Sequence, residues 1–153
     1  MSARAFWTVM GVDPSLEDEY LAGHQLQTDL MWFVHLLPST LRLACLSNDV
    51  SEWSEKLRRQ FSLEALIPHW TISGDVGYRK PDARIYDLAV AQLALPPERI
   101  LFVDDRLANV RAARAQGLRA VLFDTGGESA DEPAYTFAAL MDALDAVRAR
   151  DGA

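Results

Sequence analysis

The chain reads as a three-layer α/β fold, a parallel sheet with helices on both faces. Three observations lead there. Short apolar runs at 43–46 and 100–103 read as buried strands, the second, with no polar alternation, as one buried on both faces. Each run ends abruptly in polar residues, Ser47-Asn48-Asp49 and Asp104-Asp105. Behind each, apolar residues recur at helical spacing, so strand hands over to helix more than once.

Composition sets the bounds. The 153 residues are 50% hydrophobic and 24% charged, as expected of one soluble domain with its own core. A domain of this size buries roughly 70% of its unfolded surface, so its stability requires no disulfide. The single cysteine, Cys45, lies inside an apolar run and reads as packing, consistent with a reducing compartment. A net charge of −7 argues against nucleic acid or an anionic membrane as the main partner. No signal-peptide core follows Met1-Ser2-Ala3-Arg4-Ala5, and no run reaches the ~20 apolar residues of a membrane span, so the expected location is cytoplasmic.

The elements follow in order. Residues 5–37 read as helical throughout, broken at Gly11 and Asp13-Pro14-Ser15, with Ser15 as an N-cap and Asp18 three residues on. Leu16, Tyr20, Leu21, Leu26, Leu30, Phe33, Val34 and Leu37 recur at helical spacing until Pro38. Phe6, Trp7, Trp32 and Phe33 read as core or helix–helix contacts. His24 and His35 lack a ligand partner at useful spacing and read as structural or solvated.

A strand at 41–46 precedes a helix capped by Asp49 or Ser51, with Trp53, Leu57 and Phe61 on its inner face. Residues 70–73 form a weaker strand and 74–82 a loop, after which Pro81 pre-sets a helix over 83–93. Pro96-Pro97 leads into the strand at 100–103, and the helix behind it stops at Gly117. A last strand covers 119–124, Thr125-Gly126-Gly127-Glu128 is a flexible turn, and a final helix frays into Arg148-Ala149-Arg150.

Three positions carry chemistry. Two adjacent carboxylates where a strand meets a helix, Asp104 and Asp105, suit a hard divalent ion, Mg²⁺ above all. Alternatively, Asp104 caps the next helix. Ser47, under a helix N-terminus, has the placement to hold an oxyanion through its hydroxyl and nearby N–H groups, or simply to cap a turn. Lys80, held ahead of a helix by Pro81, offers a point charge to a phosphate or an acid, or is solvated.

Taken in this order, the pieces resemble the haloacid dehalogenase-like hydrolase superfamily, in the branch with a helical cap inserted after the first strand. Leu46-Ser47-Asn48-Asp49 is similar to its second motif, Arg79-Lys80-Pro81-Asp82 to its third, and Val103-Asp104-Asp105-Arg106-Leu107-Ala108-Asn109 to its fourth. The resemblance implies a Rossmann-like core and assigns roles. Ser47 and Lys80 are catalytic groups and, with Asn48, phosphate ligands. Asp104 and Asp105 bind Mg²⁺, with Asn109 in support. It further implies a Mg²⁺-dependent phosphoric monoester hydrolase rather than a dehalogenase. Residues 1–37 are then a helical cap remnant and 38–153 an incomplete α/β core.

The family's first motif, an apolar strand ending in Asp-x-Asp-Gly-Thr with the nucleophilic Asp, has no counterpart in this sequence. The nearest candidate is Asp13 in Val12-Asp13-Pro14-Ser15-Leu16, whose flank reads as a cap helix rather than a buried strand. Without the nucleophile, what remains is electrostatics and positioning. In a hydrolase stripped of its triad, that residue amounts to ~10³–10⁴ over water. Phosphate monoester hydrolysis demands up to ~10²¹. The expectation is a scaffold incomplete or inactive as an enzyme. An alternative is a non-catalytic module binding phosphate and Mg²⁺ or a protein.

A missing central strand also leaves its neighbours roughly 10 Å apart with unpaired backbone groups. Either the two close up, or residues 5–12, a second copy in a homo-oligomer, or a strand-donating partner fills the slot. The remaining partner expected is a small phosphorylated metabolite.

Overall fold

The computed structural model describes residues 2–27, 29–125 and 132–151, with side chains of the last helix described to residue 145. The elements are α1 (Ala3–Met10), α2 (Glu17–Ala22), α3 (Leu30–Leu36), β1 (Ala44–Ser47), α4 (Ser51–Gln60), β2 (His69–Ile72), α5 (Ser73–Val76), α6 (Ala83–Leu93), β3 (Leu101–Asp104), α7 (Leu107–Ala115), β4 (Arg119–Phe123), β5 (Ala134–Tyr135) and α8 (Phe137–Asp151), with short 3₁₀ turns at Pro14–Leu16, Leu63–Ala65 and Pro97–Arg99. The chain divides into two compact units, one of Met1–Leu26 with Ser39–Leu95, the other of Gln27–Pro38 with Pro96–Ala153.

In the first unit β1 and β2 run parallel, with Ala44 opposite His69 and Ser47 opposite Ile72. Helix α6 packs on β2 and carries two fully buried side chains, Ile85 and Tyr86. The predicted bounds of α6 are observed: Asp82 caps it through an Arg84 N–H, and Ala94 ends it in the left-handed region. A second core joins α1, α2 and α4, where Ala3, Trp7, Leu21, Val50 and Trp53 are buried together. Trp53 lies among its rings, with centroids 4.9 Å from Phe6, 5.1 Å from Trp7 and 5.0 Å from Tyr20. Edge-on and tilted pairs at such distances add ~0.5–1.5 kcal/mol each beyond their area.

In the second unit β3, β4 and β5 form a parallel sheet in that order. Helix α7 packs on β3 and β4 and buries Val110 and Ala113 completely. Gly117, at φ 83°, receives the end of α7 as predicted, its N–H bonded to Arg114 O while Leu118 N–H bonds to Ala113 O. Helix α8 stacks Phe137 on Phe33 of α3 and tilts it against Phe123 of β4, with centroids at 4.8 and 4.6 Å.

The α/β class with parallel strands and flanking helices is therefore observed, and several local expectations are corrected. Residues 23–27 are not helical, since Gly23 ends α2 and a polar segment with no apolar stripe follows. Asp13, not Ser15, caps the turn before α2: its carboxylate accepts the Ser15 N–H at 2.9 Å, with Pro14 in first position. Neither Asp49 nor Ser51 caps α4, because Asp49 turns its carboxylate to the Val50 N–H at 2.8 Å. Strand β1 starts only at Ala44, where pairing with β2 begins, and β2 stops at Ile72 because Ser73 opens the turn α5. Helix α8 does not fray at 148–150 but runs to Asp151, through Ala and Arg, both good helix formers. The predicted turn at 126–128 lies outside the described residues.

The strand expected to be buried on both faces is not. In β3, Leu101 is 50% and Val103 37% exposed, while Asp104 is buried. Side chains two apart share a face, so one face of β3 is left open. Trp32, expected in the core or at a helix–helix contact, is 51% exposed because α3 turns the adjacent Phe33 toward α8 instead. The repair expected from residues 5–12 is not seen among the described residues. Residues 3–10 are helical, and the ladders are β1–β2 and β3–β4–β5. No described helix is long and apolar enough to cross a membrane.

Candidate functional site

In the first unit the site is built at the carboxyl end of β1. Ser47 is the last ladder residue, half-buried, and Asn48 follows it, exposed. Asp49 is then tied to the start of α5. Its N–H donates to Ser73 Oγ at 3.0 Å, and its carbonyl accepts from Ser73 Oγ at 3.1 Å and from the Gly74 N–H at 3.0 Å. A side chain at position 74 would put its Cβ 2.7 Å from Ser51 N and Oγ and 3.0 Å from Asp49 O, so glycine is required there. Burial raises the Asp49 carboxyl above its ordinary value, against the Val50 N–H and the His24 charge.

Lys80 reaches this strand end from the loop after α5. Its ammonium donates to Leu46 O at 2.7 Å, directly before Ser47. Its backbone is bonded at both ends to Asn48, with Lys80 N–H to Oδ1 at 2.7 Å and Nδ2 to Lys80 O at 2.9 Å. The structure therefore gathers Ser47, Asn48 and Lys80, three sequence-predicted residues, at one strand end. Cys45, half-buried behind them, has its thiol pushed up to about 11 by burial, which keeps it unreactive. His24 and His35 each bond a carbonyl one turn back, Tyr20 O and Met31 O, within the structural or solvated role expected.

Asp13 stands elsewhere in the same unit. It lines a cavity of about 600 Å³ with Arg4, Trp7, Glu17, Glu52 and Lys56, whose lining includes none of Ser47, Asn48 and Lys80. Glu17 accepts from Trp7 Nε1 at 3.1 Å and pairs with Lys56.

In the second unit Asp104 closes β3 and is 8% exposed, while Asp105 is exposed just beyond the ladder. Asp104 Oδ1 accepts the Arg106 N–H and Asn109 Nδ2, each at 2.9 Å. Arg106 stands in front of α7, so Asp104 orders the strand-to-helix turn without being the cap residue itself. Asn109, 4% exposed, is held on the first turn of α7. Among the described residues no group of three or more His, Cys, Asp and Glu side chains assembles a metal cage. Two neighbouring carboxylates, one anchored and one open to water, are nonetheless a fitting donor set for Mg²⁺, which keeps several waters and needs only one or two.

Sequence reasoning missed two groups that hold this architecture. Ser73 and Gly74 fasten the two strand ends together, and the only local signal was a Ser-Gly pair directly behind an apolar run. Glu17, which ties α2 to α4, had no sequence signal, because its partners Trp7 and Lys56 lie 10 and 39 residues away.

Residues 35–117 match the family model described as haloacid dehalogenase-like hydrolase. The phosphoserine phosphatase of Thermus thermophilus is 37% identical over 91 residues, 56% of this chain and 35% of that protein. The chain spans between 11% and 35% of the length of the curated relatives it matches. A HAD phosphatase from Thermococcus onnurineus superposes with a TM-score of 0.77 at 19% identity, over 92% of this chain and 69% of that one. CbbY from Rhodobacter sphaeroides, solved with phosphate, superposes with a TM-score of 0.65 at 26% identity, over 82% and 62%.

Proposed function

Because the chain belongs to the haloacid dehalogenase-like hydrolases, we propose that it carries the phosphate- and Mg²⁺-binding part of a phosphoric monoester hydrolase and, alone, binds without turning over. Ser47 and Lys80 hold the phosphoryl group, the first through its hydroxyl and the second as a point charge. Asp104 and Asp105 hold Mg²⁺, with Asn109 keeping Asp104 in place. Bound there, the ion would supply a hard positive charge to oxygen ligands.

The observation that carries the reading is the Lys80 ammonium at 2.7 Å from Leu46 O, next to Ser47 at the end of a parallel strand. Ligands of open α/β sheets bind at that end. The likeness to a phosphoserine phosphatase and to a phosphate-bound CbbY supports the choice of a phosphate ligand.

Calorimetric titration with inorganic phosphate and with Mg²⁺ tests the proposal. Saturable binding is expected, with phosphate uptake weakened by Lys80→Ala and Mg²⁺ uptake by Asp105→Asn. Absence of binding by the unaltered chain, or phosphoester turnover at the rate of ordinary phosphatases, overturns it.

A second reading is favoured by the strand order β3–β4–β5, which leaves β3 at the edge of its sheet among the described residues. Here a partner chain contributes a strand beside β3 and completes the enzyme. Sedimentation that finds only monomer, with and without candidate partners, removes this reading.

A further inference from the structure

Asn48 sits where a phosphate ligand is expected, yet its carboxamide is turned to another task. A carboxamide has one carbonyl and one amino group. Here the carbonyl takes the N–H of Lys80 and the amino group takes the C=O of the same residue, 32 positions along the chain. Both torsions of Lys80 are thereby held between two hydrogen bonds. The next residue, Pro81, has no N–H to donate and disfavours a helical Lys80, so the loop does not satisfy Lys80 by coiling on itself. From this clamped backbone the side chain turns back and sets its ammonium on Leu46 O at 2.7 Å, two residues before Asn48. Asn48 and Leu46 thus grip the two ends of one lysine from one strand end.

We infer that Asn48 is the positioning residue of Lys80, and that its contribution to anion binding passes through the lysine rather than through a contact of its own. The inference rests on the reading of Lys80 as the cation that meets a phosphoryl group. The geometry has a direct consequence. Removing the carboxamide frees the 79–81 backbone, and the ammonium is no longer delivered beside Ser47.

Two measurements separate the clamp from the phosphate reading. The first needs no ligand: amide hydrogen exchange at Lys80, followed by NMR on the whole chain. Asn48→Ala is expected to speed exchange of that amide about tenfold or more, as the loss of one such bond implies. Asn48→Asp, which keeps the acceptor for Lys80 N–H, retains most of the protection. Unchanged exchange in Asn48→Ala overturns the inference.

The second is a double-mutant cycle with inorganic phosphate, read by calorimetry on the unaltered chain, Asn48→Ala, Lys80→Ala and the pair. Asn48→Ala is expected to weaken phosphate binding about tenfold, and to weaken it no further once Lys80 is gone. Additive losses make Asn48 a direct ligand and overturn the inference. An unaltered chain that takes up no phosphate sinks the phosphate reading alone, and the exchange rates still decide the clamp.

Discussion

Asn109 donates from Nδ2 to Oδ1 of Asp104 at 2.9 Å, five residues back across the turn between β3 and α7. Both side chains are buried, and the same oxygen also accepts the Arg106 N–H. A buried carboxylate is tolerated only when donors replace the water it has lost. The pair thus fixes the direction in which β3 presents its last acid.

Asn109→Ala is therefore expected to destabilise the protein by about 1–3 kcal/mol, the cost of leaving a buried acceptor short of a donor. Urea unfolding measures this directly. A change within about 0.5 kcal/mol, the range of ordinary surface substitutions, would show that the contact carries no weight. On the proposed reading Mg²⁺ affinity falls in parallel, since Asp104 loses one of its donors.

Glu17 contributes to the acid-side stability of the first unit. Chiefly through its hydrogen bond to Lys56, its carboxyl is held at about 2 in the folded chain, against an ordinary value of 4.5. A carboxyl lowered by folding stabilises the native state above its unfolded value. That contribution is lost as pH falls from about 4.5 through about 2. Glu17→Gln is expected to lower stability at neutral pH and to flatten its fall over that window. Melting curves between pH 2 and 7 give the comparison, and an unchanged acid limb refutes it.

Trp53, 3% exposed, touches the rings of Phe6, Trp7 and Tyr20. Trp53→Ala is expected to cost about 3–5 kcal/mol, the range for an emptied aromatic site in a core. Trp53→Phe, which keeps a ring in the cluster, is expected to cost less. Equal losses in the two variants would mean that the cluster does not depend on filling that space.

Asp13 is expected to be dispensable for phosphate chemistry. Its carboxylate caps the turn at Pro14–Leu16, a task asparagine performs about as well. Asp13→Asn should leave phosphate binding unaltered and stability within about 0.5 kcal/mol. Loss of measurable phosphoester turnover on this substitution would return Asp13 to the role of nucleophile.

Much of this protein was legible in its residues taken in order. The apolar runs ending at Ser47 and Asp104, Pro81 ahead of α6, and Gly117 behind α7 each announce an element or its end. They do so because capping, proline and left-handed glycine act over a few bonds. The kinship with the hydrolase family was legible for the same reason, since its motifs are short and contiguous.

Tertiary structure alone decided the rest. That Asn48 holds Lys80, that Glu17 serves Trp7 and Lys56, and that Ser73 closes on Asp49 all depend on segments between 10 and 39 residues apart. So does the open face of β3, whose residues 100–103 promised burial. An apolar side chain declares only that it gains by leaving water. Whether another surface arrives to cover it is settled by chain that its own neighbours do not encode.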